Sequence, residues 1–368
     1  MTMKRVLLIF AILPLLLNGC GGKEDVPELP APVIENPEQP DEPENPDNPD
    51  TPDNPGSNTP QGEWEKNRGK VVTPSGEGWT SSTVREGIIY YHYSGKDPVT
   101  GSMQNVCVVD LDLSNTKYAV QLKYSNPSLT PSAAHKAYGA IATINAGYEA
   151  GSIYIKANGS TKSMLPNTEI GSTGVRNWKS EAAFLGDAER NIHIVAAEEL
   201  IRPYVTPPAS EMSSYIGKQR RFYTNCTDKD IISSSPMLVN DYNPVGETFV
   251  DYSISNWSKL NTEEPQYHQR HRHPRTAVAL TENNHFLMIV VDGRQSNFAE
   301  GMSAKELTQF LVKNFNPQYA LNMDGGGSTA MCVEGLGDSN THVVDVPIND
   351  NKKGNERARD TQFVIMAK

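Results

Sequence analysis

The stretch Tyr319-Ala-Leu-Asn-Met-Asp324-Gly325-Gly326-Gly327-Ser328-Thr329 joins an apolar segment to a carboxylate and three consecutive glycines. The pattern predicts a buried strand that ends at Asp324 and is followed by a tight loop. Glycine adopts positive φ and allows close backbone approach, so the amides and hydroxyls of residues 325–329 can face a bound anion. The alternative interpretation is an ordinary glycine-rich turn in which Asp324 accepts hydrogen bonds from turn amides.

The N-terminus has the features of an export signal. Lys4 and Arg5 precede an apolar run, residues 6–17, that is too short to span a bilayer, which needs about 20 residues. Leu17-Asn18-Gly19-Cys20 resembles a bacterial lipobox, which implies lipidation of Cys20. The alternative is simple secretion with cleavage near Gly19. The following Gly-Gly-Lys-Glu-Asp resembles the signal that sends Bacteroidetes lipoproteins to the outer face of the outer membrane, so we expect a surface-exposed outer-membrane lipoprotein anchored through Cys20.

Residues 35–55 carry proline at every third position between acidic and polar side chains. This period matches the three residues per turn of polyproline II, and the acidic groups keep such a segment extended. Residues 23–60 contain 11 acidic side chains and one basic one, which accounts for nearly all of the net charge of −11. We therefore predict a signal over residues 1–20, a stalk over 21–62 and a nearly neutral domain over 63–368, with no basic field for nucleic acid.

Alternating strand and helix patterns predict an α+β fold, a mixed β-sheet with packed helices in a single large domain or two closely joined lobes. Predicted strands cover residues 105–113, 117–124, 140–144, 286–291, 319–323 and 361–366, and predicted helices cover 132–138 and 303–315. The first two strands flank a Ser-Asn-Thr turn, which indicates a hairpin. The helix from Ser303 has a capping-box pattern with Glu306. Its flanking strands indicate a strand-helix-strand unit with a parallel pair.

Three cysteines follow Cys20, namely Cys107, Cys226 and Cys332. An odd number leaves two arrangements open, one disulfide with a free thiol or three buried thiols.

Four charged residues stand at the ends of predicted strands. If these strands are neighbours, Arg275, Asp292, Arg294 and Asp324 converge on one rim. Arginine forks suit phosphate oxygens, and a pair of carboxylates is the usual equipment of a glycosidase. The alternatives are a tight hairpin turn at Asp292-Gly293 and ordinary surface ion pairs for both arginines.

A histidine-rich tract, residues 268–273, has two interpretations. His268, His271 and His273 could form a metal ligand set. The surrounding charged residues suit an exposed loop equally well.

Several short motifs resemble the phosphodiester glycosidase family. They occur in family order as Asn145-Ala-Gly147-Tyr148, Pro274-Arg275-Thr276-Ala277, Val291-Asp292-Gly293-Arg294, Gly301-Met302-Ser303 and Asn322-Met-Asp324-Gly325-Gly326-Gly327-Ser328-Thr329. Ala146 and Glu149 depart from the family pattern, and residues 358–360 do not continue the Glu-Arg motif that ends at Arg357. The resemblance thus implies the reaction class but not N-acetylglucosamine specificity.

The resemblance implies hydrolysis of a sugar-1-phosphodiester between the anomeric carbon and the phosphate oxygen, without a cofactor and with no metal ligand assigned. It implies Asp324, then Asp292, as catalytic carboxylates. The substrate-binding residues it implies are Asn145, Glu149, Arg275, Arg294, Gly325, Gly326, Gly327, Ser328, Thr329 and Arg357. Two alternatives stay open: a non-catalytic lipoprotein that binds surface glycan, and a metal-dependent phosphodiesterase that uses the histidine-rich tract.

Overall fold

The computed structural model describes residues 63–168, 170–171, 174–197 and 209–368. The predicted signal, Cys20 and the predicted stalk lie outside these residues. Its helices are α1 (Glu63–Asn67), α2 (Pro131–Tyr138), α3 (Ala209–Asn225), α4 (Pro265–His268) and α5 (Ala304–Phe315). None of the helices in the described ranges is both long and apolar enough to cross a membrane.

The strands are short and numerous, as expected for a structure built from several antiparallel sheets. The first nine are β1 (Trp79–Arg85), β2 (Ile88–Lys96), β3 (Met103–Asp112), β4 (Tyr118–Leu129), β5 (Ala142–Asn145), β6 (Ile155–Ala157), β7 (Ser160–Ser163), β8 (Ala182–Gly186) and β9 (Ile192–Ala196). The others are β10 (Asp230–Ser234), β11 (Met237–Asn240), β12 (Arg275–Leu280), β13 (His285–Val291), β14 (Tyr319–Asn322), β15 (Met331–Val333), β16 (Ile348–Asn349), β17 (Lys352–Lys353) and β18 (Arg359–Ala367).

Three larger sheets form the framework. The first has the strand order β1-β2-β3-β13-β12-β14-β11, the second β7-β6-β10-β8-β9, and the third β15-β5-β18-β4, while β16 and β17 form a separate pair. The α+β prediction is confirmed, and the named strands pair antiparallel throughout.

The seven-stranded sheet is buried on both faces, and side chains alternate between them along each strand. In β13, Leu287 and Ile289 face a core shared with α5, whereas Phe286 and Met288 face the core shared with the other two sheets. A third cluster packs α3 against the five-stranded sheet through residues such as Tyr223. The order of layers is therefore α5, the seven-stranded sheet, and then the two smaller sheets.

Two predicted pairings are wrong. Strands β3 and β4 do not form a hairpin, because β3 has apolar side chains on both faces and takes a central position between β2 and β13, while β4 pairs with β18. The strands that flank α5 do not form a parallel pair either, because β12 lies between β13 and β14 and is antiparallel to both. The β3–β13 pairing also makes the N-terminal strands an integral part of one domain.

The described cysteines Cys107, Cys226 and Cys332 are free thiols. Cys107 and Cys332 are buried, as in the second arrangement left open by the sequence, whereas Cys226 is only half-buried.

Helix α5 begins as its sequence pattern predicts. The Ser303 hydroxyl accepts a hydrogen bond from the Glu306 amide at 3.2 Å, and the Glu306 carboxylate accepts one from the Ser303 amide at 2.9 Å. These bonds satisfy two of the amides that a helix N-terminus leaves unpaired. The helix buries Leu307, Phe310 and Phe315 against the seven-stranded sheet.

We expect Ser303→Ala to lower the free energy of unfolding by about 1 kcal/mol, because the Glu306 amide loses its acceptor. Urea denaturation of the domain measures this change. Ser303→Thr is the matched control and should lose less, since threonine keeps the hydroxyl. Equal stability of the alanine variant and the unmodified protein would contradict a role for this cap.

Candidate active site

A pocket of about 160 Å³ opens at the end of β14, where the predicted strand-loop site lies. Its lining is mostly charged and aromatic. The lining residues are Tyr148, Glu149, Trp178, Lys179, Glu263, His268, Arg294, Asp324, Gly325, Gly326, Gly327, Arg357 and Arg359.

Asp324 is the most buried carboxylate of this pocket. Its amide donates to the Ala146 carbonyl at 3.0 Å, and its carbonyl accepts a hydrogen bond from Asn145 Nδ2 at 2.6 Å. Arg359 Nε lies 2.7 Å from Asp324 Oδ2 as an ion pair, yet Nε directs its hydrogen bond to the Ser328 hydroxyl. Among the described residues, Oδ2 therefore has no hydrogen-bond partner. Burial raises the pKa of Asp324, and the Arg359 charge opposes that rise.

The three glycines after Asp324 allow close packing around the loop. A Cβ on Gly325 would lie 2.6 Å from the Pro274 carbonyl oxygen, and one on Gly327 would lie 2.6 Å from Arg357 Nη2. Gly326 has a φ of +61°, which favours glycine. The amides of Gly326, Ser328 and Thr329 bond to backbone carbonyls, so the amides of Gly325 and Gly327 are the loop donors not engaged in these bonds.

Three guanidinium groups surround the loop. Arg294 is exposed, follows β13 and holds a φ of 61°, a left-handed conformation that costs a non-glycine residue on the order of 1 kcal/mol. Arg357 Nε donates to Asn349 Oδ1 at 2.9 Å, which fixes its direction. Arg359 approaches from β18. The pocket therefore has strong donors on three sides.

The opposite wall is formed by residues that follow β5 and by the segment before β8. Lys179 Nζ lies 3.4 Å from a Glu149 carboxylate oxygen and 3.5 Å from one of Glu263. The same ammonium group lies 4.7 Å from the centre of the Tyr148 ring and 5.9 Å from that of Trp178. Burial alone would raise the pKa of Glu149, but the charges of Lys179 and Arg359 and a backbone hydrogen bond together lower it.

The wall continues into an adjoining pocket of about 220 Å³ that shares Glu149, Trp178, Lys179 and Glu263. The two pockets together form one cleft.

The histidine-rich tract lies at one side of the cleft rather than on an exposed loop. Burial and the nearby charge of Arg275 lower the pKa of His268 to about 3 and of His273 to about 2, so both imidazoles are neutral at neutral pH. Within the described ranges, no group of three or more His, Cys, Asp or Glu side chains comes together in a way that could hold a metal ion.

Arg275 is not on the rim, and this part of the prediction is wrong. The guanidinium is buried and donates to the carbonyls of Met302, His268 and His271 and to Gln269 Oε1, at 2.8–3.1 Å. Burial lowers its pKa to about 10. Its donors are used inside the protein, where they hold the histidine-rich segment.

Asp292 does not reach the pocket either. Its carboxylate accepts hydrogen bonds from Asn105 Nδ2 at 2.7 Å and from the Val346 amide at 3.0 Å. Burial raises the pKa of Asp292 to about 6, and burial together with the Asp292 charge raises the pKa of Asp345. The two carboxyl groups belong to the core beneath the site.

Three further residues that the sequence predicted for the site lie beneath the pocket surface and contact the residues around it. Asn145 is fully buried and binds the Asp324 carbonyl. The Ser328 hydroxyl accepts from Arg359, and the Thr329 hydroxyl lies 3.4 Å from that of Thr276. Contrary to prediction, neither hydroxyl lines the pocket. The structure does bring Glu149, Arg294, Asp324, Arg357 and the three glycines together.

Sequence reasoning missed five lining residues as site residues: Tyr148, Trp178, Lys179, Glu263 and Arg359. Tyr148 and Arg359 stood in or beside quoted motifs, where their position was a usable signal. Trp178, Lys179 and Glu263 stand in irregular segments with no pattern that indicates a site.

The Asp292–Asp345 pair predicts an unusual pH dependence of stability. A carboxyl group whose pKa is higher in the folded than in the unfolded protein contributes stability fully when the pH is below its unfolded-state pKa. This contribution is lost as the pH rises through the folded-state pKa. For Asp292 the folded-state pKa is about 6. Each pKa unit is worth about 1.4 kcal/mol. We expect Asp345→Asn, which removes the like charge, to gain a few kcal/mol relative to the unmodified protein between pH 4 and pH 7.

Urea denaturation of both proteins across that range measures the difference. In the Asp345→Asn variant, the side-chain amide oxygen can still accept the hydrogen bond that the Met331 amide donates at 2.8 Å to the native carboxylate. A stability difference that is constant with pH would show that neither burial nor the Asp292 charge raises the pKa of Asp345.

The chain resembles known proteins in both sequence and fold. Residues 138–366 match the sequence model of the phosphodiester glycosidase family. No curated protein sequence matches the chain. The catalytic domain of zebrafish N-acetylglucosamine-1-phosphodiester alpha-N-acetylglucosaminidase, auto-inhibited by its pro-peptide, is 16% identical with a TM-score of 0.50, over 81% of this chain and 87% of that one.

Two further solved structures show weaker likeness. An exported protein from Burkholderia pseudomallei is 12% identical with a TM-score of 0.48, over 81% of this chain and 98% of that one. A protein from Synechocystis is 12% identical with a TM-score of 0.47, over 80% of this chain and 64% of that one. The family match covers more than half of the sequence, so the chain belongs to the phosphodiester glycosidase family, whose reaction class is glycosidase-type hydrolysis of phosphodiesters.

Proposed function

We propose that this protein hydrolyses a sugar-1-phosphodiester of a phosphorylated glycan or surface polymer. One water is consumed, the bond between the anomeric carbon and the phosphate oxygen breaks, and the products are a free sugar and a phosphate monoester. The observation that carries the proposal is the Asp324 carboxylate, which is held 2.7 Å from Arg359 Nε in a pocket that Asp324 lines together with Arg294, Arg357 and Arg359.

Phosphate recognition falls to the cationic side of the pocket. Arg294 lies beside Gly326 and Arg357 beside Gly327, so both offer forked donors next to the loop, and the amides of Gly325 and Gly327 are further donors of that loop. As the glycosidic bond breaks, negative charge develops on the phosphate oxygen, and preformed donors stabilise it without reorganisation. A phosphate leaving group is already a stabilised anion, so it needs little help from a general acid.

Asp324 is our choice for the essential carboxylate. Glycosidic cleavage develops positive charge at the anomeric carbon, and a fixed carboxylate stabilises that charge. Arg359 holds the Asp324 side chain in place and opposes the rise in its pKa that burial causes. Besides Asp324, the carboxylates of Glu149 and Glu263 line this pocket. Glu149 is therefore the candidate for the second catalytic carboxylate, the role that the sequence predicted for Asp292.

The aromatic wall suits the sugar. Trp178 and Tyr148 are packed edge to face with ring centres 5.7 Å apart, and they form a rigid apolar surface beside polar groups of Lys179 and Glu149. Ligand sites commonly combine such apolar surface with a few oriented polar groups. The adjoining pocket gives the cleft room for a second substituent of the substrate.

We expect Asp324→Asn to lower kcat/KM on sugar-1-phosphodiesters on the order of a thousandfold, because the neutral amide no longer stabilises positive charge at the anomeric carbon. The assay uses a panel of these diesters in ¹⁸O-labelled water, with products identified by mass spectrometry. Label in the released sugar indicates cleavage at the anomeric carbon.

Asp292→Asn is the matched control. Its carboxylate does not line the pocket, so turnover should stay within a few-fold of the unmodified protein. Label in the phosphate product would instead show a phosphodiesterase, and binding of the diester without any product would show a capture protein. Either result would overturn the proposal.

We also propose that Cys20 carries a lipid that anchors the chain to the outer membrane, with residues 21–62 as a spacer that holds the domain away from the surface. In a bacterial host that processes lipoproteins, labelled palmitate should be incorporated at Cys20. Cys20→Ala should abolish the label and move the protein to the soluble fraction, whereas Cys226→Ala should change neither. Labelling that persists in Cys20→Ala would refute the anchor.

A further inference from the structure

A third pocket lies on a different part of the domain and is larger than either of the two pockets that form the cleft. It has a volume of about 400 Å³ and is bounded by β4, the β6–β7 hairpin and the end of α2. Its main side chains come from Gln121, Lys123, Tyr124, Tyr138, Lys162 and Arg190. It shares no lining residue with the catalytic cleft.

The charge of this pocket is mainly positive. Three of its lining residues are cationic, Lys123, Lys162 and Arg190, and one is acidic, Asp230. Asp230 is buried and already occupied, because it accepts hydrogen bonds from Arg190 Nη1 at 2.9 Å and from the Asn158 amide at 2.7 Å. The two lysines are therefore left without a carboxylate partner in the pocket, which leaves the site suited to an anion.

Both lysines are held against aromatic rings. Lys123 Nζ lies 5.3 Å from the centre of the Tyr138 ring and donates to Gln121 Oε1 at 2.7 Å. Lys162 Nζ lies 5.7 Å from the centre of the Tyr124 ring. Lys123 is half-buried, whereas Lys162 is exposed, and both ammonium groups lie beside half-buried tyrosine rings. Burial and the charge of Arg190 lower the pKa of Lys123, consistent with a partly desolvated amine.

The combination of oriented ammonium groups and aromatic surface fits a particular ligand chemistry. The ammonium groups can bind a phosphate or carboxylate, and a tyrosine ring can bury the apolar C–H face of a sugar. Gln121 and Asn158 add amide groups for hydroxyls. A simple inorganic anion could bind the ammonium groups, but it has no apolar surface to pack against the tyrosine rings.

The pocket also has a fixed relation to the catalytic site through the four-stranded sheet. Lys123 on β4 is the register partner of Gln362 on β18. Arg359, which pairs with Asp324, lies three residues earlier on the same strand, on the order of 10 Å along it. A rigid strand therefore sets the spacing between the two pockets.

We propose that this pocket is an accessory binding site for an anionic saccharide, a sugar that bears a phosphate or carboxylate group. The site binds its ligand whether or not Asp324 catalyses hydrolysis, so it stands apart from the proposed function.

Lysine labelling with an acetylating reagent, read by mass spectrometry, tests this site residue by residue. The unmodified protein is acetylated with and without glucose 1-phosphate, and the acetylation rates of Lys123 and Lys162 are measured. Lys313 on α5 is the reference, because it is exposed and does not line the pocket. At a probe concentration ten times its Kd, we expect labelling of both pocket lysines to fall by about tenfold and that of Lys313 to stay constant.

Three comparisons make the result specific. Tyr138→Ala should abolish protection of Lys123 by glucose 1-phosphate, because the apolar surface for the sugar is lost. Neutral glucose should protect neither lysine, and inorganic phosphate should protect them more weakly than glucose 1-phosphate. The proposal would be overturned if glucose 1-phosphate did not protect the two lysines. It would also be overturned if inorganic phosphate protected them equally well and Tyr138→Ala did not change that protection. Neither outcome depends on whether the diester is hydrolysed at Asp324.

Discussion

The backbone of His273 and Pro274 is the point at which three separate loops meet, and each loop approaches it through a glycine. A Cβ on Gly293 would lie 2.5 Å from the Pro274 nitrogen, one on Gly301 would lie 2.5 Å from the His273 carbonyl oxygen, and one on Gly325 would lie 2.6 Å from the Pro274 carbonyl oxygen. Real side chains do not fit at such distances. The approach of these loops brings Arg294, which follows Gly293, and Asp324, which precedes Gly325, to the cleft. Backbone packing therefore sets the geometry of the site.

A second constraint joins the four-stranded sheet to the seven-stranded sheet. The side chain of Asn145, at the end of β5, donates to the Asp324 carbonyl and accepts from the Thr276 hydroxyl at 2.7 Å and from the Ala330 amide at 3.4 Å. These partners belong to β12 and to the two ends of the glycine loop. Leaving one buried polar group unpaired costs about 1–3 kcal/mol, so a change at Asn145 disturbs several elements at once. This explains how a motif residue can matter to the site without touching its ligand.

Local signals predicted the parts of this structure that depend on a few consecutive residues. The capping box of α5 and the strand that ends at Asp324 followed from such signals. Which strands lie next to each other could not be predicted from such signals, because the strand order of a sheet depends on segments that are distant in sequence. Arg359 shows the limit well, because the pairing of β18 with β4 jumps from Arg359↔Leu129 to Thr361↔Tyr124, which leaves three more residues on β4 than on β18 between these pairs. No pattern in the sequence indicates that irregularity.

Arg275 illustrates a further limit, because sequence alone does not distinguish a ligand-binding arginine from one that holds the wall of a site. Its guanidinium is fully buried and its donors bind main-chain carbonyls and Gln269, which fixes His268 at the edge of the cleft. Burial, together with the same positive charge, lowers the pKa of His268 and of His273 and keeps both imidazoles neutral. The cationic character of the cleft therefore comes from side chains such as Arg294, held in position by the fold, and a phosphodiester anion is the kind of group that such a cleft favours.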